Sequence, residues 1–258
     1  MTDVSPPSPS ILPLKLDNVE FKADGVRLIK DFTCTFNHGP RSVIIGPNGA
    51  GKSLLLRLCH GLIPPSHGSI NWTTPPASKH AMVFQRPVML RRSVEANILY
   101  ALKLNRVDRS RHDAIIEQVL SQTGLKRLAK KPARVLSFGE QQKLALARAW
   151  ALKPEVLFLD EPTASLDPSA THSVEQIIDA IHNQGTRIIM TTHDLGQARR
   201  LADEVLFIHR GRLLEHAPTT RFFNKPENDL AEAFVNGDLL WWKLGKDNRG
   251  PQNKRQKK

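Results

Sequence analysis

Apolar and polar residues change their period several times along this chain, and each change marks an element. The alternation of Leu14 and Leu16, followed by Val19 and Phe21 and then by Phe32-Thr33-Cys34-Thr35-Phe36, predicts antiparallel strands. Ser42-Val43-Ile44-Ile45 is an unbroken β-branched run, the pattern of a strand buried on both faces. Leu54-Leu55-Leu56-Arg57-Leu58-Cys59 then predicts a helix that ends near Gly61, and Pro64-Pro65-Ser66-His67-Gly68 predicts a turn. Ser69-Ile70-Asn71-Trp72 and Ala81-Met82-Val83-Phe84 read as two short strands. From Arg86 the period lengthens to that of a helix, through Val94, Ile98, Leu99 and Leu102 and then Ile115, Ile116, Val119 and Leu120. An alanine-rich stretch over 143–151 continues it, so a helical subdomain of about 86–153 is expected. Beyond it come a buried strand (Val156-Leu157-Phe158-Leu159), a helix with Val174, Ile177, Ile178 and Ile181 on one face, a strand over 187–191, another helix, and the strand Val205-Leu206-Phe207-Ile208.

Strand and helix alternating in this way predict an α/β domain over 14–240: a mainly parallel sheet core with an antiparallel β subdomain and a helical insert. The Pro6-Pro7-Ser8-Pro9 run marks residues 1–13 as a flexible leader outside the fold. At the other end, 241–258 reads as a basic tail, solvated and disordered, with Trp241 and Trp242 docking on the domain. No internal repeat is present. Cys34 and Cys59, the two cysteines, sit inside apolar patterns at no metal spacing, which predicts buried thiols in a reduced setting. Lys and Arg number 37 against 25 Asp and Glu, a net +12 that favours anionic partners: nucleotide, nucleic acid or a membrane face. No basic segment leads into an apolar stretch, and no run approaches the roughly 20 apolar residues that span a bilayer. The expectation is a chain neither secreted nor membrane-spanning.

Charge does not choose among those anions, but one stretch does. Gly46-Pro47-Asn48-Gly49-Ala50-Gly51-Lys52-Ser53 has the form GxxxxGKS and lies between a predicted strand and a predicted helix. Glycines allow the backbone to curl so that successive N–H groups face an anion, and the following helix adds its unpaired donors and positive end. Lys52 would reach β and γ phosphates, and the Ser53 hydroxyl would ligate Mg²⁺. Two carboxylates, Asp160 and Glu161, end the strand over 156–159. His193 follows another strand end, and in Leu136-Ser137-Phe138-Gly139-Glu140-Gln141 the serine is placed to cap a helix.

With these motifs in this order, the chain resembles the ATP-binding subunit of an ATP-binding-cassette transporter over 14–236, and the resemblance implies a P-loop ATPase. It further implies ATP and Mg²⁺ as cofactors, and residues 46–53 as the phosphate loop. Asp160, Ser53 and Gln85 would serve the metal, Glu161 would act as general base or water orienter, and His193 would contact the γ-phosphate. Ser137, Phe138, Gly139 and Glu140 would form the signature, serving ATP held by a second copy of the chain across a two-fold interface that includes Asp167. The partners implied are that second copy, a membrane permease touched by the Gln85 loop, and, through the permease, a periplasmic or surface solute-binding protein. The location implied is peripheral, on the cytoplasmic face of the membrane.

The chain departs from the family pattern at three positions. Phe138 stands where the commonest signature has glycine, and Glu140 where it often has glutamine. At the wall where the family stacks an aromatic ring on adenine, this chain has Ala23, while Phe21 faces away on the register read here. The segment over 84–94, rich in arginine, looks like the corresponding loop of oxyanion importers, tungstate and molybdate especially, with an importer of another solute, phosphate or an amino acid, as the alternative. Two other function classes compete: a non-transport cassette protein acting on nucleic acid, motivated by the charge, and a nucleotide-gated binding module that hydrolyses poorly. The paired cassettes or long coiled-coil insertions usual in the first are absent, so nucleic acid is the less expected partner.

Overall fold

Side-chain alternation about one sheet sets the layering of this protein. The computed structural model describes residues 10–76 and 79–238. In chain order its elements are β1 (Leu14–Ala23), β2 (Val26–Phe36), β3 (Ser42–Ile45), α1 (Lys52–His60), β4 (His67–Trp72), β5 (His80–Val83), α2 (Val94–Leu104), α3 (His112–Gln122), α4 (Phe138–Trp150) and β6 (Val156–Asp160). Then follow α5 (Pro168–Asn183), β7 (Arg187–Thr191), α6 (Leu195–Leu201), β8 (Glu204–His209), β9 (Arg212–Pro218), α7 (Thr219–Asn224) and α8 (Asp229–Val235). Six strands form one sheet in the order β5-β6-β7-β3-β8-β9, parallel except for β9, and three form an antiparallel sheet in the order β2-β1-β4.

Successive residues of the central strands feed opposite cores, as a two-sided parallel sheet requires. Val43, Ile45, Leu157, Leu159, Ile188, Met190, Val205 and Phe207 join the cluster on the helical side. Ile44, Phe158, Ile189, Leu206 and Ile208 join the other, where α1 is packed with the antiparallel sheet. The helical insert has no core of its own. Ile98, Leu102, Val119 and Leu144 are continuous with the sheet's helical-side cluster.

Two features differ from the expectations or lie outside them. Residues 10–13 are not a free leader: Ile11 and Leu12 are buried, and Ser10 Oγ and the Ile11 N–H donate to Glu155 Oε2 at 2.7 and 2.9 Å. Polar anchoring of two donors and burial of two apolar side chains outweigh the preceding prolines. The antiparallel edge β9 and the helices after it have no clean apolar period, because β9 turns Glu215 inward. That carboxylate accepts the N–H groups of Glu227 and Asn228 at 3.1 and 3.0 Å. Both cysteines are buried thiols, as expected. The basic tail over 241–258, with Trp241 and Trp242, lies outside the described residues.

Two partly buried polar groupings couple this architecture to pH. Beneath the sheet, Arg187 Nη2 donates to Ser42 Oγ and Glu204 Oε1 at 2.6 and 2.8 Å, and His216 Nε2 lies 3.0 Å from Glu204 Oε2. Burial pushes the Glu204 carboxyl up, but these hydrogen bonds outweigh it and hold it at about 2. At the end of α1, the His60 and His80 rings are 4.4 Å apart beside Trp72 and Phe158. Burial, with His80 adding to it, pushes His60 down to about 4.

Stability should therefore fall in two acid windows. Between about pH 6.5 and 4 the unfolded chain binds a proton that folded His60 refuses, so stability drops as pH drops. Between about 4.5 and 2 folded Glu204 stays ionised while its unfolded counterpart protonates, and a second decline follows. Urea unfolding across this range should show both, with His60→Asn flattening the first. In the same assay Ile11→Ala should cost about 2–5 kcal/mol, the usual loss for emptying a fully buried isoleucine site.

Candidate active site

β3 delivers the chain to a loop whose shape only glycine permits. A Cβ on Gly46 (φ 151°) would lie 2.0 Å from the carbonyl oxygen of Ile208 on the neighbouring strand β8. Gly51 (φ 103°) is the N-cap of α1 and has no side chain to occupy the first N–H groups, so the helix presents them with its positive end to the loop's concavity. The first residue of that helix, Lys52, is buried, and its ammonium donates to the Gly46 and Pro47 carbonyls at 2.9 and 3.3 Å. Burial lowers its pKa, while Glu161 and Asp160 pull the other way.

The carboxylates come from the next strands of the sheet. Asp160 ends β6 directly opposite Thr191 of β7. Its Oδ1 accepts from Ser53 Oγ at 2.7 Å and from Thr191 Oγ1 at 2.9 Å. Glu161, one residue on, has left-handed backbone (φ 45°), a conformation costly for a side chain of its kind. Its N–H donates to Thr191 Oγ1 at 3.0 Å. Turned this way, the Glu161 carboxylate sits 3.7 Å from Lys52 Nζ and 2.9 Å from His193 Nδ1.

Lys52, Ser53, Glu161 and His193 border a cleft of about 540 Å³ whose lining includes residues 48–54 and Gln85, with Asp160 behind it on Ser53. Cation, anion cradle and carboxylate thus meet in one place. Ser53 and Asp160 offer hard oxygens 2.7 Å apart, a donor pair suited to Mg²⁺, which commonly takes few protein ligands and completes its shell from phosphate and water. Among the described residues no group of three or more His, Cys, Asp and Glu side chains could hold a metal unaided.

The signature residues lie elsewhere on the same chain. Ser137 caps α4, accepting from the Glu140 N–H at 3.3 Å, while the Ser137 N–H donates to Glu140 Oε2 at 2.8 Å. This reciprocal cap gives the glutamate in place of glutamine a local role. Phe138 opens α4, and Gly139 allows the helix start to lie against α5, since a Cβ there would meet Ala170 Cβ at 3.0 Å. Asp167 caps α5 through the Ala170 N–H at 2.9 Å. None of these five residues borders the cleft.

Sequence reasoning missed Leu28, Leu54 and Arg57 on the cleft wall. Ala23 pairs with Val26 across the Asp24-Gly25 turn and does not border the cleft, and Phe21 packs against the core beneath the antiparallel sheet. The apolar residue that β2 turns to the cleft is Leu28, 41% exposed. Asp24-Gly25 is the signal that could have fixed that hairpin's register.

Gly46→Ala should force the loop away from β8, costing on the order of 1–3 kcal/mol in backbone strain and repacking. A thermal melt should show a lowered midpoint, and titration with nucleotide a parallel loss of affinity.

Comparison with known proteins accords with this geometry. A family profile described as ABC transporter matches residues 29–164. The chain is 34% identical over 250 residues to the phosphate import ATP-binding protein PstB 2 of Natronomonas pharaonis, covering 88% of each. It is 37% identical over 207 residues to the tungstate uptake system ATP-binding protein TupC of Peptoclostridium acidaminophilum, covering 78% of this chain and 97% of that one. Among solved structures, cbiO1 from Clostridium perfringens, part of the ABC transporter complex cbiONQ, superposes with a TM-score of 0.76 at 26% identity, over 87% of this chain and 95% of its own. The chain belongs to the ABC transporter family and is one of its ATP-hydrolysing subunits.

Proposed function

We propose that this chain hydrolyses Mg²⁺-bound ATP between two copies of itself and couples that reaction to import of a tetrahedral oxyanion through a membrane permease. The observation that carries the reading is the convergence of Lys52, Ser53, Asp160, Glu161 and His193 on one cleft at an open helix N-terminus. Residues 46–53 cradle the β and γ phosphates with their N–H groups, and Lys52 exchanges the Gly46 and Pro47 carbonyls for phosphate oxygens. Ser53, Asp160 and Gln85 would hold the metal, whose charge would offset that of the phosphates. Glu161 orients the attacking water and accepts its proton, and His193, already on that carboxylate, turns to the γ-phosphate.

Ser137 and Gly139 lie outside their own chain's cleft, which suits a site closed by the partner copy in a two-fold dimer, with Asp167 at the seam. Beside Gln85 an apolar groove of about 390 Å³, bordered by Phe84, Val88, Tyr100 and Leu104, offers a seat for a permease helix. Val88 and Leu104 are 72% and 68% exposed and border the same groove, an apolar patch of the kind that marks an interaction site. No helix among the described residues is long and apolar enough to cross a membrane, which suits a peripheral subunit working on the cytoplasmic face. The oxyanion class rests on relatives named for phosphate import and tungstate uptake, both tetrahedral anions; the anion would reach the transporter through a separate solute-binding protein.

Glu161→Gln should cut steady-state ATP turnover by about a hundred-fold or more while ATP still binds, so that an ATP-bound dimer accumulates on size exclusion. Turnover near the parental value would overturn the role given to Glu161. In the reconstituted transporter, phosphate- or tungstate-loaded binding protein should raise ATPase activity; stimulation by an amino-acid-binding protein alone would remove the oxyanion assignment.

A further inference from the structure

Behind the cleft lies a polar strut that the site as described does not use. Gln197, in α6, is fully buried, yet an apolar residue of its size would fill the same space at less cost, because its Oε1 has no hydrogen-bond partner. Its Nε2 makes two contacts. One is to Thr163 Oγ1 at 2.7 Å and the other to Glu175 Oε1 at 3.1 Å. Thr163 stands two residues after Glu161, and Gln197 stands four residues after His193. The amide therefore joins the two strand-end segments that carry the glutamate and the histidine now 2.9 Å apart.

The far side of the strut is rigid. Glu175, from the middle of α5, is itself buried and is gripped by a fork from Arg200 of α6, with Nε at 3.0 Å and Nη2 at 2.7 Å. Asp194 caps α6 through the Gln197 N–H at 3.1 Å, fixing where the helix starts just after His193. Three elements are thus tied at one amide: the segment after β6, α5 behind Asp167, and α6.

We propose that Gln197 is a positioning residue for ATP hydrolysis: through Thr163 it holds the Glu161 segment at the distance from His193 that water activation requires, with Glu175 and Arg200 as its abutment. The proposal rests on the roles given above to Glu161 and His193. It concerns the chemical step alone, because neither Gln197 nor Thr163 borders the phosphate cleft.

The test uses the full-length chain, with steady-state and single-turnover ATP hydrolysis, ATP affinity and thermal melts measured in parallel. Gln197→Leu keeps the volume and removes both contacts. Thr163→Val is isosteric and removes only the contact toward Glu161. Each should lower the single-turnover rate by about ten-fold, as small displacements in active sites do, with ATP affinity within about two-fold of the parent. Since both break one contact, the double variant should be no slower than Gln197→Leu. A rate within two-fold of the parent for a folded Gln197→Leu, an equal loss of ATP affinity, or additive losses in the double variant would overturn the proposal. If Gln197→Leu proves unstable, Thr163→Val alone decides, since a purely structural role for Gln197 predicts no change of rate from it. Glu161→Gln is run alongside. Full activity there would mean that the reading of the site has failed, whereas loss of activity there with no effect at Gln197 and Thr163 would remove only the positioning role.

Discussion

One hydroxyl spaces the chemistry of this protein. Thr191 ends β7 directly opposite Asp160 on β6, and its Oγ1 donates to the Asp160 carboxylate while accepting the Glu161 N–H. The two carboxylates consequently cannot drift relative to each other or to the strand beside them. That strand in turn neighbours β3, which launches the phosphate loop. Parallel register is therefore the constraint beneath the site. A one-residue slip would move Asp160 away from Ser53 and would also turn every apolar side chain of the strand into the wrong core.

The legible part of this structure was the part where one residue type has one physical use. Short unbroken apolar runs read correctly as β3, β6, β7 and β8, because a strand buried on both faces carries few polar side chains. The phosphate loop was legible for the same reason, since Gly46 tolerates no side chain against Ile208. What escaped notice had mixed signals. β9 buries a glutamate, so its period is hidden, and Leu28 is an exposed hydrophobic residue in a hairpin whose register depends on a turn two residues long. Ile11 and Leu12 were obscured by the prolines before them, although their partner, Glu155, lies far along the sequence, where no local window reaches.

The departures in the signature look different once placed. Glu140 is engaged with its own helix cap, and a glutamate serves there as well as a glutamine, because only an acceptor is needed. Phe138 occupies the first position of α4, half-buried, where a phenyl ring breaks no hydrogen bond. Both substitutions leave Ser137 and the Gly139 backbone at the helix start.

The strap at the amino end has a consequence for synthesis. Ile11 and Leu12 are synthesised long before their partner, since the carboxylate that anchors the Ile11 N–H is 144 positions later. At translation speeds of about 5–20 residues per second, the interval is roughly seven to thirty seconds. During that time β1 and β2 can pair, but the apolar residues before them have no permanent seat. The nascent chain thus carries Ile11 and Leu12 unseated until β6 arrives, which makes residues 10–13 a point where chaperone occupancy and folding order meet.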